Sequence, residues 1–138
     1  MDTISLYWVS GKLMVGIGSN NHSIAIGKLP ENAEQFSGMK PSDLLLLAAA
    51  SCSSYDILEI LRKQREPLQA FKVVCSGEQQ QEPPYSFTSI NIHYIIHGEV
   101  DEEKLQKAIK LSEDKYCSVI STLRTGVPIT SDFEIVVQ

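Results

Sequence analysis

The chain has 138 residues, with 17 acidic and 12 basic side chains and a formal net charge of −5. That length suits one compact domain, and 43% hydrophobic with 21% charged residues supports a real core rather than wholesale disorder. The acidic balance argues against a nucleic-acid or anionic-membrane surface as the main function, and three cysteines are too few to staple a small domain.

Met1 to Ser10 has no basic region and no long apolar stretch, so no targeting signal is expected there. A cytoplasmic protein with reduced thiols is the expectation. Ile4, Leu6 and Trp8 alternate with polar or small residues as in a strand, and Ser10-Gly11 marks a turn. Leu13 to Ile17 and His22 to Ile26 read as further strands, joined by a turn at Gly18 to Asn21. Lys40-Pro41-Ser42-Asp43 then opens a helix, with Ser42 as the N-cap and Asp43 against the helix dipole. Leu44 to Arg65 contains neither Gly nor Pro. Its first half, Leu44 to Ala50, is apolar on every side, which predicts burial all round. A monomer this small can hardly surround a helix, whereas a dimer interface can. The run also falls short of the roughly 20 apolar residues a membrane span needs.

Beyond Pro67, Phe71, Val73 and Cys75 alternate with Lys72 and Ser76 in a strand, and Glu78 to Pro84 reads as a strand end and hairpin loop. Phe87 to His97 is a strand with Ile90, Ile92, Tyr94 and Ile96 on one face and Ser89, Asn91, His93 and His97 on the other. Asp101-Glu102-Glu103 starts a helix in which Leu105, Ala108, Ile109 and Ser112 share a face, with Lys104, Lys107 and Lys110 outward. A short helix from Cys117 to Gly126 and a strand from Pro128 to Val137 complete a single α+β domain over residues 1–138.

Of the three cysteines, Cys75 shares a strand face with Phe71 and Val73 and reads as a small core hydrophobe. Cys52 stands where the apolar half of the long helix meets Ser53-Ser54-Tyr55-Asp56. It is either a packing residue or a thiol facing a cavity. Cys117 at a helix N-terminus is either packed or acidified by the helix amides. Spacing alone does not pair the two. No metal site is expected: there is no Cys-x-x-Cys, and His93 and His97 lie about 13 Å apart along a strand.

The segment Pro41-Ser42-Asp43-Leu44-Leu45-Leu46-Leu47-Ala48-Ala49-Ala50-Ser51-Cys52 resembles the central-helix motif of the OsmC/Ohr family, the osmotically inducible and organic hydroperoxide resistance proteins. Glu113-Asp114-Lys115-Tyr116-Cys117-Ser118-Val119 resembles its second cysteine motif, and the element order matches along nearly the whole chain. Cys52-Ser53-x-x-Asp56 and Lys115-Tyr116-Cys117-Ser118-Val119 are most similar to the YhfA-like branch. The resemblance implies an OsmC-like intertwined homodimer with the long helices at the interface. It also implies a thiol peroxidase of the oxidative stress response that works without metal or flavin. Cys52 would attack the peroxide and become a sulfenic acid, Cys117 would close a disulfide, and an external dithiol would reduce it.

The hydroperoxide-resistance branch holds its thiolate with an N-terminal arginine and a glutamate near the helix start. This chain has no arginine before Arg62, Asp43 fills the acid position approximately, and His22 lies in the region of the arginine. His22 is either a substitute donor or a turn residue. Asp43 stands about 13 Å from Cys52 along an unbroken helix, so it would act through an intermediary or from a partner subunit. Asp56 follows Cys52 by one helical turn on the same face. Unpaired, it would raise the thiol pKa, so either a cation such as Arg62, Arg65 or Lys115 neutralises it or it faces away. A second reading, from a different class, is a dimeric binding or regulatory protein holding a small apolar ligand at the subunit interface.

Overall fold

The structure, a computed structural model, describes residues 1–137 and shows two compact units, Met1–Leu45 and Leu46–Gln138. The first is a three-stranded antiparallel meander of β1 (Ser5–Ser10), β2 (Lys12–Ile17) and β3 (Ser23–Lys28). Trp8 Nε1 donates to the Gly11 carbonyl at 3.0 Å and fastens the first turn. The register aligns Leu6, Gly16 and Ile24, and then Trp8, Met14 and Ile26, on one face of the sheet. Gly27 has φ +104°, and a Cβ there would stand 1.8 Å from the Lys12 carbonyl oxygen, so glycine is the one residue the β2–β3 pairing accepts at that point. In the β2–β3 loop the left-handed residue is Asn21, at φ 66°, and not His22.

Helix α1 runs from Pro41 to Lys63. It begins one residue before the expected cap, because Pro41 takes the first helical position, where its fixed φ fits and its missing N–H has no partner to lose. Ser42 is therefore inside the first turn. The helix also stops short of Arg65. That residue is left-handed at φ 57°, with Arg65 N–H on the Arg62 carbonyl and Glu66 N–H on the Leu61 carbonyl, both at 3.0 Å. This is a Schellman end with arginine where glycine is the usual occupant.

In the second unit, β4 (Ala70–Gln79) pairs antiparallel with β5 (Phe87–His97), and β6 (Ile129–Val136) pairs parallel to β5 on its other side. A parallel return needs a crossover. It is built from α2 (Glu102–Leu111), a π-helical turn (Ser112–Tyr116) and α3 (Ser118–Leu123). Asp101 caps α2 by accepting the Lys104 N–H at 2.9 Å. The expected strand parity holds: Ile90, Ile92, Tyr94 and Ile96 are buried in one cluster with Ile57 and Leu61 of α1, Leu105, Ala108 and Ile109 of α2, and Ile120 of α3.

By length and hydropathy α1 would pass for a membrane span, yet Ala49, Ile57 and Leu61 are fully enclosed by the protein's own core. The expectation of burial all round is corrected for the single chain. Leu47 is 48% and Tyr55 79% exposed, one above the other on the helix, because the sheet and α2 cover only the opposite face.

Two terminal residues test this local reading. Asp101→Ala is expected to cost about 1 kcal/mol of unfolding free energy, since one helix N–H loses its acceptor. Arg65→Gly is expected to stabilise by roughly 0.5–1 kcal/mol by relieving a side chain in left-handed backbone. Urea unfolding of both variants checks the opposite signs.

Candidate active site

α1 presents Cys52 half-buried at the edge of the core. Its neighbours Ser53 and Ser54 are buried hydroxyls that satisfy themselves by donating back to the Ala49 and Ala50 carbonyls. Cys117 is 2% exposed and sits at the break between the π-helical turn and α3. Its extended backbone, φ −78° and ψ 106°, ends one helical segment and starts the next. Its N–H donates to the Ser112 carbonyl at 2.7 Å, and its sulfur caps α3 by accepting the Ile120 N–H at 3.4 Å.

This folding back brings Cys117 and Cys52 together, although they are distant in sequence. The Cys52 sulfur has the Ser118 hydroxyl at 4.0 Å, the Cys117 thiol beside it, and the Val119 and Ser118 backbone amides aimed at it. Burial opposes ionisation of Cys52. The Val119 amide, the Cys117 thiol and the Ser118 hydroxyl and amide together outweigh it and lower the pKa below that of an ordinary thiol. Cys117 goes the other way. Burial pushes it up to about 11, against the stabilising Ile120 amide, and the neighbouring Cys52 adds to the rise. Of the two readings of Cys117, packed or acidified by the helix amides, the packed thiol is the one found. Desolvation outweighs the α3 amides at that thiol, whereas at Cys52 the amides outweigh desolvation. Near neutral pH the pair therefore consists of a donor, the Cys117 S–H, and an acceptor, the Cys52 sulfur.

Cys75 stands apart from the pair, half-buried on β4 opposite Ile92, and burial alone raises its pKa. Of the two alternatives for Asp56, a cation partner is not the one found among the described residues. Its Oδ2 accepts from the Ser112 hydroxyl at 3.3 Å. Arg62 is occupied by Glu59 at 2.7 Å, Lys115 lies over the Tyr116 ring at 5.5 Å, and Arg65 ends the helix. His22 is in the exposed β2–β3 loop and Asp43 in the exposed first turn of α1, both within the first compact unit. His93 is held at the sheet surface by Asp132 and Glu134 of β6.

Beneath the thiols lies a polar network that sequence reading missed. Tyr94, fully buried, has its hydroxyl 2.8 Å from Ser53 Oγ and 3.1 Å from Glu113 Oε2. Ser131 donates to Glu113 Oε1 at 2.9 Å, and Ser112 donates to the Ser53 carbonyl at 2.8 Å. One signal was available in the sequence. Tyr94 is a polar-tipped residue between Ile92 and Ile96 on the apolar face, and a buried phenol needs a partner.

A family model described as OsmC-like protein matches residues 32–132. Protein YhfA from Escherichia coli (strain K12) is 34% identical over 131 residues, 94% of each chain. A crystal structure of a hypothetical protein from Aquifex aeolicus VF5 superposes with a TM-score of 0.88 at 28% identity, over 100% of this chain and 98% of the other. The organic hydroperoxide resistance protein OhrB of Bacillus subtilis shares the fold, with a TM-score of 0.63 at 14% identity over 97% and 98% of the two chains. A shared fold with a thiol pair at the α1–α3 junction and sequence kinship along almost the whole chain agree, and the protein belongs to the OsmC-like family.

Proposed function

We propose that the protein is a cytoplasmic thiol-dependent peroxidase in which Cys52 is the attacking and Cys117 the resolving cysteine. The observation that carries this reading is the pairing of an acidified, half-buried Cys52 with a buried, protonated Cys117. The Cys52 thiolate attacks one oxygen of an organic hydroperoxide or hydrogen peroxide. The O–O bond breaks, sulfur loses two electrons and becomes a sulfenic acid, and the alkoxide or hydroxide takes a proton and leaves as alcohol or water. Cys117 then attacks the Cys52 sulfur. The sulfenic hydroxyl leaves as water with the Cys117 proton, and an external dithiol reduces the resulting disulfide. In this reading the thiolate needs no arginine, because the Val119 and Ser118 amides and the Ser118 hydroxyl supply its stabilising donors.

The exposed stripe of α1, Leu47, Tyr55 and Leu58, supports a homodimer built across that helix. Leu47→Glu is expected to convert a dimer into a monomer in sedimentation, and a monomeric wild-type protein counts against the interface.

Peroxide consumption with a dithiol reductant tests the chemistry. Cys52→Ser is expected to abolish it, and Cys117→Ser to leave a sulfenic acid on Cys52 that a dimedone-type reagent traps. Full turnover by Cys52→Ser overturns the reading. Alkylation of Cys52 is expected to rise with pH through a midpoint below the roughly 8.5 of a free thiol. Ser118→Ala and Cys117→Ala are each expected to move that midpoint upward, because each removes a donor to the thiolate.

A further inference from the structure

One carboxyl group, Glu113, bonds directly to Tyr94, and the hydrogen bonds around it fit a protonated acid. Ser53 Oγ faces the Ala49 and Ala50 carbonyls at 3.1 and 3.2 Å, which only accept, so its single proton points to them. Ser53 Oγ is then free to accept, and the Tyr94 hydroxyl donates to it at 2.8 Å. That commits the one phenolic proton and leaves the Tyr94 oxygen facing Glu113 Oε2 at 3.1 Å as an acceptor. With the phenolic proton on Ser53, the pair closes when Glu113 supplies the hydrogen. Glu113 Oε1 meanwhile accepts from Ser131 at 2.9 Å.

The charged surroundings agree. Among the described residues no cation touches the Glu113 carboxyl. Arg124 of α3 reaches the Glu113 backbone carbonyl at 2.7 Å and Asp114 at 3.4 Å instead. On its outer side Glu113 borders a cavity of about 320 Å³ that Lys110 of α2, Asp114 and Asp132 of β6 also line, so solvent protons reach it. Tyr94 of β5 completes its titratable neighbours. Burial pushes the Glu113 carboxyl above the usual range, outweighing Ser131, Tyr94 and Arg124, while Asp114 adds to the rise.

We infer that Glu113 works as a neutral acid, donating into the chain Glu113, Tyr94, Ser53, and thereby positions the π-helical turn that carries Cys117 against Cys52. The turn is held at two points. Ser112 bonds to the Ser53 carbonyl and through its own carbonyl to the Cys117 N–H, and Glu113, the next residue, is anchored to β5 and β6. Ionising Glu113 turns an acid–phenol hydrogen bond into competition between two acceptors for one proton, at the residue that sets where the resolving cysteine stands. A π-turn at such a point is a common device for placing a functional side chain. Because the folded state holds this proton more tightly than the unfolded chain, the anchoring is complete below the ordinary carboxylate range. It weakens as pH rises through the raised Glu113 value.

The role as a positioning residue for resolution rests on the peroxidase reading, but its test does not need peroxide. Diamide converts two neighbouring thiols to a disulfide directly, and mass spectrometry of the Cys52–Cys117 peptide pair follows the rate in the full-length protein. Glu113→Ala is expected to slow this closure by at least about tenfold, the scale of a misplaced reacting group. Alkylation of Cys75, which stands apart from the pair on β4, is expected in the same variant to stay within about twofold of wild type, while the Cys52 midpoint is expected to move upward as its Cys117 donor is displaced. Glu113→Gln places an N–H donor toward Tyr94 and a carbonyl toward Ser131, so it is expected to restore the closure rate and to remove the loss of urea stability that the wild type shows as pH rises through the raised Glu113 value. Infrared difference spectra of wild type against Glu113→Gln are expected to show the carbonyl stretch of a protonated acid. Closure at the wild-type rate in Glu113→Ala, or a Glu113→Gln variant as slow as Glu113→Ala, overturns the inference. If Glu113→Ala does not fold, the infrared band and the flattened pH profile of Glu113→Gln decide it. Failure of peroxide turnover alongside these diamide results would remove the peroxidase reading and leave the positioning role intact.

Discussion

Ser112 donates a 2.8 Å hydrogen bond to the Ser53 carbonyl, while its own carbonyl accepts the Cys117 N–H at 2.7 Å. One buried residue thus ties the helix bearing Cys52 to the turn bearing Cys117. Each bond is worth only about 1 kcal/mol net. Their importance is directional, since a hydroxyl and a carbonyl on one residue fix both distance and orientation between two segments that meet nowhere in the sequence. The surrounding core makes the joint stiff. Ser53, Ser112 and Cys117 are themselves buried, so a loosened polar group there would lose its partner in an apolar setting.

The two thiols show how one environment sets opposite pKa values. Both feel desolvation, which is the largest single influence on each. Cys52 escapes it because it is less enclosed and collects several donors from the start of α3. Cys117 does not, because it is fully enclosed and faces an acidified neighbour, and the Ile120 amide that its sulfur caps is too little to offset both. Amides at the start of α3 reach both sulfurs, and they set the outcome only at Cys52, where burial costs less than the donors supply. Asp56, one turn beyond Cys52, is held by a hydroxyl rather than a cation.

Much of the fold was legible because strand parity and helix spacing are local. The isoleucine face of β5, the Asp101 cap and the helix break at Cys117 all follow from short-range patterns. The start of α1 was misplaced by one residue because Ser42 and Pro41 both signal a beginning, and proline's fixed φ decided it. The Glu113–Tyr94–Ser53 network was not legible. Glu113 in sequence is one more acid on an amphipathic helix, and only the π-turn rotates it inward onto a phenol contributed by β5.

The residues alone determined the element order, the separation of Cys75 from the other two thiols, and the apolar character of α1. These depend on periodicity and composition, which are properties of neighbouring residues. Only the tertiary structure decided that Cys117 lies beside Cys52, which thiol is acidic, and what holds Asp56. Those outcomes depend on groups from α1, α3, β5 and β6 meeting at one point. Desolvation and hydrogen bonding act through space over a few ångströms, and separation along the chain carries no information about them.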